Sequence, residues 1–595
     1  MTPRLGTETR PRTATAVAER LLRHTAQALP DTGGPEPGRA VLDWTGPVTT
    51  DLPDERAVQA ACGVMHVHGR ATGGPAPLAV DYASAAAGAL AALGATALRV
   101  GRARGLDLSE VRTSVAQGAL LAVGQYLAAA TADGGSGPPD PDPPQPPPDS
   151  AGRAAEGLAT LVACDGTRVE IETLDPFAWR EFWARLGASP ALAGRGWLPF
   201  QQRFATAVCP LPDALRQAAL RYTPEQLRAA ADRTGVSLLV VGHDPAPAVR
   251  PAPWELTPGP APARTHGVPG PRSAAPDPFL PLAGLRVVES TRRVQGPLAG
   301  HLLRMLGADV VRIEPPGGDP MRGLPPLAGQ CSARFLALNA HKPVVEADLT
   351  TAQGRDTVRA LAADADVFLH NWAPGKASRF GLTADGLLAG CPSLVYAEAS
   401  GFGDAFGPRA PVGTDYLAQV HSGLAAAVRP AEDPPAPSLM TLTDVLGGLL
   451  CAQGAVAALA LREATGRGAR VRSSLLSAGV LVPRPAHRVR WTPLDRPLRT
   501  ADGHLYLGEG ARRDPESVCR VLDGADPAFP ADAAARFARR TTGRWLARLA
   551  DAGLTATPVL TDLTGLAHDP AFRTAVLPPD PATGHARPAP PWEFA

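Results

Sequence analysis

Two aspartates in this chain of 595 residues each stand at the start of a long apolar segment rich in alanine and glycine. Asp444 comes shortly before the pair Gly447-Gly448, and Asp81 opens a similar segment. An aspartate with a reference pKa of ~3.9 is ionised at neutral pH and can act as a nucleophile without a base. Backbone N–H groups beside glycines can then stabilise an oxyanion. The other interpretation is a carboxylate that caps a helix N-terminus, and the residues alone favour it.

The same two aspartates begin two copies of one helical pattern. The stretch from Asp81 to Gly105 aligns without a gap with the stretch from Asp444 to Gly468. Both lead into strand-like pieces, at Val111 and Val471, the first after a slightly longer turn. Internal repeats mark duplicated modules. We therefore expect the first half to superpose on the later part of the second, with Asp81 on Asp444.

Composition excludes several classes of partner. A net charge of +1 and a pI near 7.7 give no electrostatic reason to expect nucleic acid or an anionic membrane. The seven cysteines include no C-x-x-C pair, so we expect neither a disulfide framework nor a metal site, in keeping with a cytoplasmic protein. No signal peptide is apparent. The apolar runs 82–98 and 445–461 are expected to be buried core helices rather than membrane spans.

Two proline-rich segments divide the chain. Residues 133–150 have the composition of an extended linker, and residues 244–281 are expected to separate two halves. From Leu285 to Glu398, strand-like and helix-like stretches alternate, which predicts a parallel, doubly wound sheet and an α/β fold. Past residue 500 a strand and several helices predict a small α+β domain, and the first half shows an analogous pattern.

A series of short segments carries a family resemblance. The segments are Leu282-Ala-Gly-Leu-Arg-Val-Val-Glu, Gly296-Pro, Leu306-Gly-Ala-Asp-Val-Val-Arg-Ile-Glu, Leu338-Asn-Ala-His-Lys342, Asn371-Trp-Ala-Pro-Gly375, Leu394-Val-Tyr, Ser400-Gly-Phe-Gly403, Gly413-Thr-Asp-Tyr-Leu-Ala-Gln, Ser422-Gly and Thr465-Gly-Arg-Gly468. In this order the second half resembles the family III CoA-transferases, the CaiB/BaiF group that includes formyl-CoA transferase and α-methylacyl-CoA racemase. The first half resembles only the later part of that family, over residues 55–245.

The resemblance implies a domain organisation. Members of the family form interlocked homodimers, in which each subunit has a Rossmann-like domain and a small domain. Here it implies a single chain that forms an internal pseudo-dimer, with a further homodimer left open. The expected parts are a truncated repeat (1–243), a linker (244–281), a Rossmann-like CoA-binding domain (282–482), and a small domain with a C-terminal return segment (483–595).

The resemblance also implies an activity and a catalytic pair. Family members move CoA between carboxylic acids through an aspartyl anhydride and an aspartyl-CoA thioester. By motif position the nucleophile corresponds to Asp444, and Asp415 falls where relatives carry a second acidic residue. Glu55 takes the analogous place before Asp81, which is expected to be a relic or a helix cap. The partners implied are acyl-CoA and a small carboxylic acid.

Coenzyme A is expected at the carboxyl ends of the parallel strands, where open α/β sheets bind ligands. The positions carried over from the family lie in the loops after the strands, in the stretch 347–350 and in the loop 412–415. The individual residues are Val294, Gln295, Pro315, Asp348, Asn371, Trp372, Ala373 and Arg379. Arg379 would pair with a phosphate, although a solvated helix charge is an equal alternative.

Departures from the family pattern leave two alternatives to a CoA-transferase. Relatives often carry basic residues where Pro315, Thr350 and Val412 stand, and their glycine-rich loop is not visible in 484–498. These departures favour a non-catalytic acyl-CoA-binding relative. A racemase or isomerase is disfavoured because Thr414 replaces the histidine of the racemases, which leaves His421 as the nearby candidate base.

Overall fold

The computed structural model describes residues 11–29, 38–132, 157–260, 280–522, 531–581 and 583–595. The expected linker 133–150 lies outside the described residues, as does much of the expected linker 244–281.

The first half contains the later part of an α/β domain. Its elements in chain order are α1 (Arg12–Ala28), β1 (Arg39–Asp43), α2 (Glu55–Ala61), α3 (Tyr82–Ala103), β2 (Glu110–Ser114) and α4 (Val115–Thr131). Between α2 and α3 lie a short helix, Val64–Gly69, and a 3₁₀ turn, Arg70–Thr72. β1 and β2 pair in parallel, and the sheet that they form has three strands.

A larger sheet dominates the second half. Its strands in chain order are β3 (Trp254–Pro258), β4 (Arg286–Ser290), β5 (Asp309–Glu314), β6 (Val344–Glu346), β7 (Val367–His370), β8 (Val395–Ser400) and β9 (Ala469–Ser474). They are ordered β6-β5-β4-β7-β8-β9-β3, and all pairs are parallel except the antiparallel pair of β9 with β3. The predicted α/β fold with a Rossmann-like parallel sheet is confirmed.

Helices cover both faces of this sheet, which is why the central strands are apolar on both sides. The helices that matter for the site are α5 (Gln295–Met305), α6 (Ala333–Asn339), α7 (Asp415–His421) and α8 (Leu442–Thr465). The other helices of this half are Ala352–Ala363, Lys376–Phe380, Ala384–Gly390, Leu424–Ala427 and Leu475–Leu481. α8 packs against α3 of the first half, so the two copies share one core.

α3 and α8 are long and apolar enough to cross a membrane by length and composition alone. In each helix 94% of the relevant window is buried inside the protein. The close packing of these two helices on their neighbours depends on glycine. A Cβ at Gly448 would lie 3.0 Å from the carbonyl oxygen of Gln295, and a Cβ at Gly88 would lie 2.5 Å from the carbonyl oxygen of Ala14.

The expected superposition of Asp81 on Asp444 is wrong. Hydrogen bonds show that the two halves correspond with a constant difference of 360 positions, without the longer turn that the sequence alignment needed. Gln59 and Gln419 make the same contacts, since each accepts from the backbone N–H of the equivalent residue, Leu78 or Ser438. Asp81 therefore corresponds to Thr441, and Ser84 corresponds to Asp444.

The linker expected at 244–281 is interrupted by a strand. Residues Trp254 to Pro258 form β3 and close the large sheet against β9. At the other end of the chain β10 (Glu593–Phe594) closes the small sheet of the first half in the same antiparallel way, against β2. Each half thus ends in a strand that completes the sheet of the other half.

Each half also carries a small antiparallel domain. The first comprises strands Leu161–Val162, Arg168–Glu172 and Ser237–Val240 with helices Pro176–Arg185, Pro190–Thr206, Asp213–Ala219 and Pro224–Thr234. The second comprises strands Leu498–Arg499, His504–Leu507 and Ala556–Pro558 with helices Glu509–Arg513, Pro515–Val521, Ala531–Phe537 and Thr542–Asp551. The first small domain packs on α7, and the second packs on α2. Each small domain therefore lies against the opposite half.

Candidate active site

Asp444 lies in the first turn of α8, but it does not cap that helix. The helix begins after Thr441, and the backbone N–H groups of Thr443 and Asp444 donate to Oδ1 of Asp415, at 2.6 and 2.9 Å. Asp415 therefore supplies the carboxylate that a helix N-terminus requires. The half-buried carboxylate of Asp444 is left without the capping role that the residues alone had favoured.

Asp415 is held rigidly by its neighbours. Its Oδ1 also accepts from the Thr443 hydroxyl at 2.7 Å, and its Oδ2 accepts from Nε2 of Gln419 at 2.5 Å. Gln419 in turn bonds to the backbone of Ser438 through both ends of its amide. Four donors on one buried carboxylate favour its ionised form.

A second helix N-terminus approaches Asp444. Gln295 begins α5, and its backbone N–H hydrogen-bonds the carboxyl of Asp444. The approach is possible because Gly447 has no side chain, since a Cβ there would lie 2.8 Å from Nε2 of Gln295. The first turns of α5 and α8 thus meet at one carboxyl group. Helix N-termini with free N–H groups stabilise negative charge, including that of an oxyanion.

The two aspartates influence each other's protonation. Burial raises the pKa of Asp415 to about 6 against the effect of its hydrogen bonds. Burial and the neighbouring charge of Asp415 raise the pKa of Asp444 well above its usual value, while Arg293 and the Gln295 N–H act in the opposite direction. Asp415 has the donors and is the member that ionises first, so Asp444 loses its proton at a higher pH than Asp415 does.

The expected CoA-binding residues lie mainly along one edge of the large sheet. Parallel strands bring their carboxyl ends together, so the loops after β5, β4 and β7 are neighbours in that order. The loop after β4 ends in Val294 and Gln295, Pro315 follows β5 directly, and the loop after β7 begins with Asn371, Trp372 and Ala373. Arg379 is exposed on the helix Lys376–Phe380, which follows the β7 loop.

Three of these residues use their polar groups within the protein. Asn371 holds the backbone of Arg292, accepting from its N–H at 2.9 Å and donating to its carbonyl at 2.8 Å. Trp372 stacks on His370 with ring centroids 4.4 Å apart and donates to Ser290. Asp348, beyond the edge strand β6, accepts from the N–H and hydroxyl of Thr350. Asn371 and Trp372 therefore shape the loops around α5.

Sequence reasoning missed a buried charge network beneath this edge. Arg312, in β5, donates to Glu289, Glu314 and Asp319. Lys342 donates to both oxygens of Glu289 and to the carbonyl of Pro297 in α5, and burial lowers its pKa to about 8. The signal in the sequence was a strand with charges on otherwise apolar positions, since Arg312 and Glu314 both lie in β5. This network fixes α5 relative to the strands.

The equivalent position in the first half has no carboxylate. Ser84 stands where Asp444 stands in the second half, and its hydroxyl donates to Glu55 at 2.6 Å. Glu55 caps α3 as Asp415 caps α8, by accepting from the N–H groups of Ala83 and Ser84. Asp81 accepts from the Thr13 hydroxyl, and together with burial it raises the pKa of Glu55 to about 7. This half retains the cap without the candidate nucleophile.

Two alternatives from the sequence can also be located. His421, the candidate base, is at the far end of α7 from Asp415, and its ring packs against Phe406 with centroids 4.3 Å apart. In the segment 484–498, where relatives have a glycine-rich loop, Arg484 and Arg488 donate to backbone carbonyls of the second half, including those of Ser422 and Ala426. This segment is fixed by arginines.

All seven cysteines are free. Among the described residues, no group of three or more His, Cys, Asp or Glu side chains is arranged to hold a metal ion.

Comparisons with known proteins find CoA-transferases among the relatives of this chain. A mouse succinyl-CoA:glutarate CoA-transferase is 29% identical over 319 residues, which cover 48% of this chain and 73% of the relative. A formyl-CoA:oxalate CoA-transferase of Streptomyces avermitilis is 36% identical over 203 residues, 33% of this chain and 48% of the relative. The crystal structure of a CaiB/BaiF family protein from Brucella suis shares 28% identity and a TM-score of 0.44, covering 50% of this chain and 88% of that one.

The family model for CoA-transferase family III matches residues 45–245 and 282–577. The match is split between the two halves, as a repeat requires, and it spans well over half of the sequence. The chain therefore belongs to CoA-transferase family III.

Proposed function

We propose that the protein moves CoA between carboxylic acids at one complete site, with Asp444 as the nucleophile. The observation that carries this proposal is the division of labour between two carboxylates. Asp415 caps α8, so the carboxyl of Asp444 remains available at the meeting point of two helix N-termini. A carboxylate that is not needed for capping keeps its oxygens available for attack on an acyl-CoA thioester.

The reaction follows from these groups. The Asp444 carboxylate attacks the thioester carbonyl of an acyl-CoA, the C–S bond breaks, and the CoA thiolate leaves an acyl–aspartyl anhydride behind. The thiolate then attacks the aspartyl carbonyl and releases the first acid as its carboxylate, which gives an aspartyl-CoA thioester. The acceptor carboxylate repeats both steps in reverse order and leaves as the new acyl-CoA. Atoms and electrons balance without an oxidant or a metal, and the buried site limits hydrolysis of the anhydride.

Coenzyme A would lie along the carboxyl edge of the sheet. Val294, Gln295, Pro315 and Ala373 offer backbone groups there, and Arg379 offers a guanidinium to a phosphate. Asn371 and Trp372 support the loops, and Asp348 is at the far margin. The relatives are named for glutarate, oxalate and succinyl-CoA, so a small carboxylic acid is the acceptor proposed here.

A non-catalytic acyl-CoA-binding protein is the second candidate. Pro315, Thr350 and Val412 carry no positive charge, and Arg484 fixes the segment where relatives have a glycine-rich loop. A racemase is the weaker alternative, because His421 lies beside Phe402 and Phe406 rather than beside Asp444.

Covalent trapping tests the proposal. Wild-type protein is mixed with a panel of acyl-CoAs and analysed by mass spectrometry, with and without hydroxylamine. We expect a CoA or hydroxamate adduct on the peptide that contains Asp444, and we expect Asp444→Ala to abolish both the adduct and CoA exchange. The matched control is Ser84→Ala, which changes the equivalent position of the first half and should retain most of the exchange activity.

Equal activity in the two variants would move the chemistry away from Asp444. CoA binding without an adduct or exchange for any acyl-CoA would favour the non-catalytic candidate.

A further inference from the structure

Arg293 is held in a backbone conformation that residues with a side chain seldom adopt. Its φ is 67°, and among the described residues only Ala207 and His341 also combine a positive φ with a side chain. Ala207 ends a helix in this conformation, and His341 precedes Lys342 of the buried charge network. At position 293 a glycine would adopt the same φ without strain, so the arginine side chain needs a reason of its own. Strained residues of this kind cluster at functional sites.

The backbone on the N-terminal side of Arg293 is fixed by two side chains. Arg312, in β5, donates to the carbonyl of Thr291 at 2.9 Å. Asn371, in the loop after β7, accepts from the N–H of Arg292 at 2.9 Å and donates to its carbonyl at 2.8 Å. The two peptide groups before Arg293 are therefore held in place, and so is the turn that leads into α5.

The same turn brings Arg293 to the candidate nucleophile. Gln295 is two positions further along the chain, and its backbone N–H hydrogen-bonds the carboxyl of Asp444. Since consecutive Cα atoms are ~3.8 Å apart, the Cα of Arg293 lies within roughly 8 Å of the Cα of Gln295. Burial and the charge of Asp415 raise the pKa of Asp444, and the positive charge of Arg293 acts against them. Arg293 is thus the basic side chain that acts on the nucleophile.

The guanidinium of Arg293 is available to a ligand. Its side chain is exposed, and within the described parts of the chain it makes no hydrogen bond or ion pair. Two other arginines near this edge of the sheet are paired, since Arg312 and Arg322 both donate to Glu314, at 3.0 and 2.8 Å. A guanidinium has five N–H donors, and two of them can bind one carboxylate. Arg293 can therefore bind an anion without breaking a contact of the fold.

Each stage of the proposed transfer has one negative charge beside Arg293. Before the reaction the charge is on the ionised Asp444 carboxylate. The first attack gives a neutral anhydride and the CoA thiolate, and the attack of this thiolate releases the first acid as a carboxylate. The acceptor acid then enters as a carboxylate, and the steps run in reverse until Asp444 is ionised again. One cation at this point therefore has an anionic partner throughout the reaction.

We propose that Arg293 is a catalytic residue whose guanidinium pairs with Asp444 before acylation and with the substrate carboxylate once Asp444 is acylated. Both pairs use the same N–H donors, so one carboxylate replaces the other as an acid leaves or enters. Charge-assisted pairs of this kind are stronger than neutral hydrogen bonds. The guanidinium keeps its proton, and no covalent bond to Arg293 forms. This inference rests on the proposed function and adds a residue to its machinery.

The first half supplies a matched arginine for control experiments. The carbonyl of Ala14 in α1 approaches α3 at a glycine, as the carbonyl of Gln295 in α5 approaches α8. Two positions before these residues are Arg12 and Arg293, and both side chains are exposed. Arg12 belongs to the half that has no candidate nucleophile, so Arg12→Gln is the control for Arg293→Gln.

The pH profile of adduct formation is the first test. Asp444 attacks in its ionised form, and the titratable groups that face it are Asp415 from α7, Tyr82 from α3 and Arg293. Removal of the positive charge raises the pKa of Asp444, so Arg293→Gln should move the acid side of the profile up by about one pH unit. Below that pH, adduct formation should be about tenfold slower than in wild type.

Arg293→Lys keeps the charge and should shift the profile less, and Arg12→Gln should leave it in place. Coincident profiles for wild type and Arg293→Gln would overturn the inference.

Isotope exchange tests the pair with the substrate carboxylate. The donor is the acyl-CoA that gives the strongest adduct in wild type, and the acceptor is the same acid in free, labelled form. Arg293→Gln should raise the KM for the acid about tenfold and change the KM for the acyl-CoA less than about twofold. Arg293→Gly accommodates the positive φ and lacks the guanidinium, so it should show the same loss. An unchanged KM for the acid in either variant would contradict the proposal.

Unfolding in urea separates this inference from the proposed function, because it needs no substrate. Arg293→Gln should lower the free energy of unfolding more at pH 9 than at pH 4, since a further rise in the pKa of Asp444 costs stability as pH increases. In the Asp444→Asn background the effect of Arg293→Gln should be the same at both pH values. If no acyl-CoA forms an adduct, the proposed function fails, while this coupling still supports the pair of Arg293 with Asp444. A cost that depends on neither pH nor Asp444 would overturn the inference whether or not transfer occurs.

Discussion

The side chain of Asp415 accepts the first-turn N–H groups of α8, and the side chain of Asp444, in that same turn, accepts from another helix. A single aspartate at a helix start could not cap the helix and act as a nucleophile at the same time, because both uses need the same oxygens. Two carboxylates remove this conflict. The two carboxylates also repel each other when both are ionised, because they lie close together. The stability that the pair contributes therefore depends on pH.

Replacing Asp444 should stabilise the protein at neutral and alkaline pH. The folded-state pKa of Asp444 is raised, so the unfolded chain loses this proton at lower pH than the folded protein does. Stability from this group is fully present below the unfolded pKa of ~3.9 and falls by up to about 1.4 kcal/mol per pH unit as pH rises toward the folded pKa. Asp444→Asn removes that loss. We expect its melting temperature to exceed that of wild type at pH 8, with a difference that shrinks toward pH 4.

Urea unfolding of both proteins between pH 4 and pH 9 measures this prediction directly. Ser84→Ala serves as the control at the equivalent position, and it should show no such pH-dependent gain. A stability difference that stays constant across this range would mean that the pKa of Asp444 is not raised.

Single residues also show what the sequence can and cannot supply. Asp444 and Asp415 were identified by their place in a motif, and the structure brings both to one helix start. Asp81 was misaligned because identical residue types were matched, whereas the true correspondence with Thr441 depends on hydrogen bonds that pair Gln59 with Gln419.

At the scale of elements, the first turn of α8 depends on one carboxylate from α7. Asp415→Ala would leave the buried N–H groups of Thr443 and Asp444 without an acceptor, and we expect a loss of about 1–3 kcal/mol in the free energy of unfolding. Asp415→Asn retains an acceptor oxygen and should lose less. Amide hydrogen exchange at Thr443 and Asp444 should accelerate in the alanine variant.

The matched change in the first half is Glu55→Ala, which removes the cap of α3 at Ala83 and Ser84. Glu55→Ala should accelerate amide hydrogen exchange at Ala83 and Ser84 and leave the amides of α8 protected. The CoA-transfer activity should be largely retained. If Asp415→Ala left amide hydrogen exchange at Thr443 unchanged, a capping role of Asp415 in α8 would be excluded.

Strands β4, β5, β7, β8 and β9 followed from their pattern, because buried parallel strands form short apolar runs that alternate with helices. The short edge strand β6, Val344–Glu346, was not predicted. β3 was missed because it lies within a stretch dominated by proline, whose composition predicts a linker. A weak signal existed, since Trp254-Glu255 and Trp592-Glu593 are the same dipeptide at the end of each half. Strand pairing between segments so far apart cannot be derived from local composition.

At the scale of the whole molecule, the two halves are interlocked by exchanged parts. β3 completes the sheet of the second half, β10 completes that of the first, and each small domain lies on the opposite half. The candidate site depends on both halves, since α8, which carries Asp444, packs against α3 of the first half. One chain thereby contains two modules, of which one carries the large parallel sheet and the candidate nucleophile.

Two tryptophans test this interlocking. Trp592 donates to the carbonyl of Leu90 in α3. Trp254, in β3, packs against Gly454 of α8. Trp592→Ala should therefore loosen the first half, although residue 592 lies at the end of the second, and Trp254→Ala should loosen α8 and β9. We expect each to cost about 3–5 kcal/mol. Hydrogen exchange resolved by peptide should show loss of protection around Leu90 in Trp592→Ala and around Gly454 in Trp254→Ala. Loss confined to the half that contributes each tryptophan would contradict the exchange of strands.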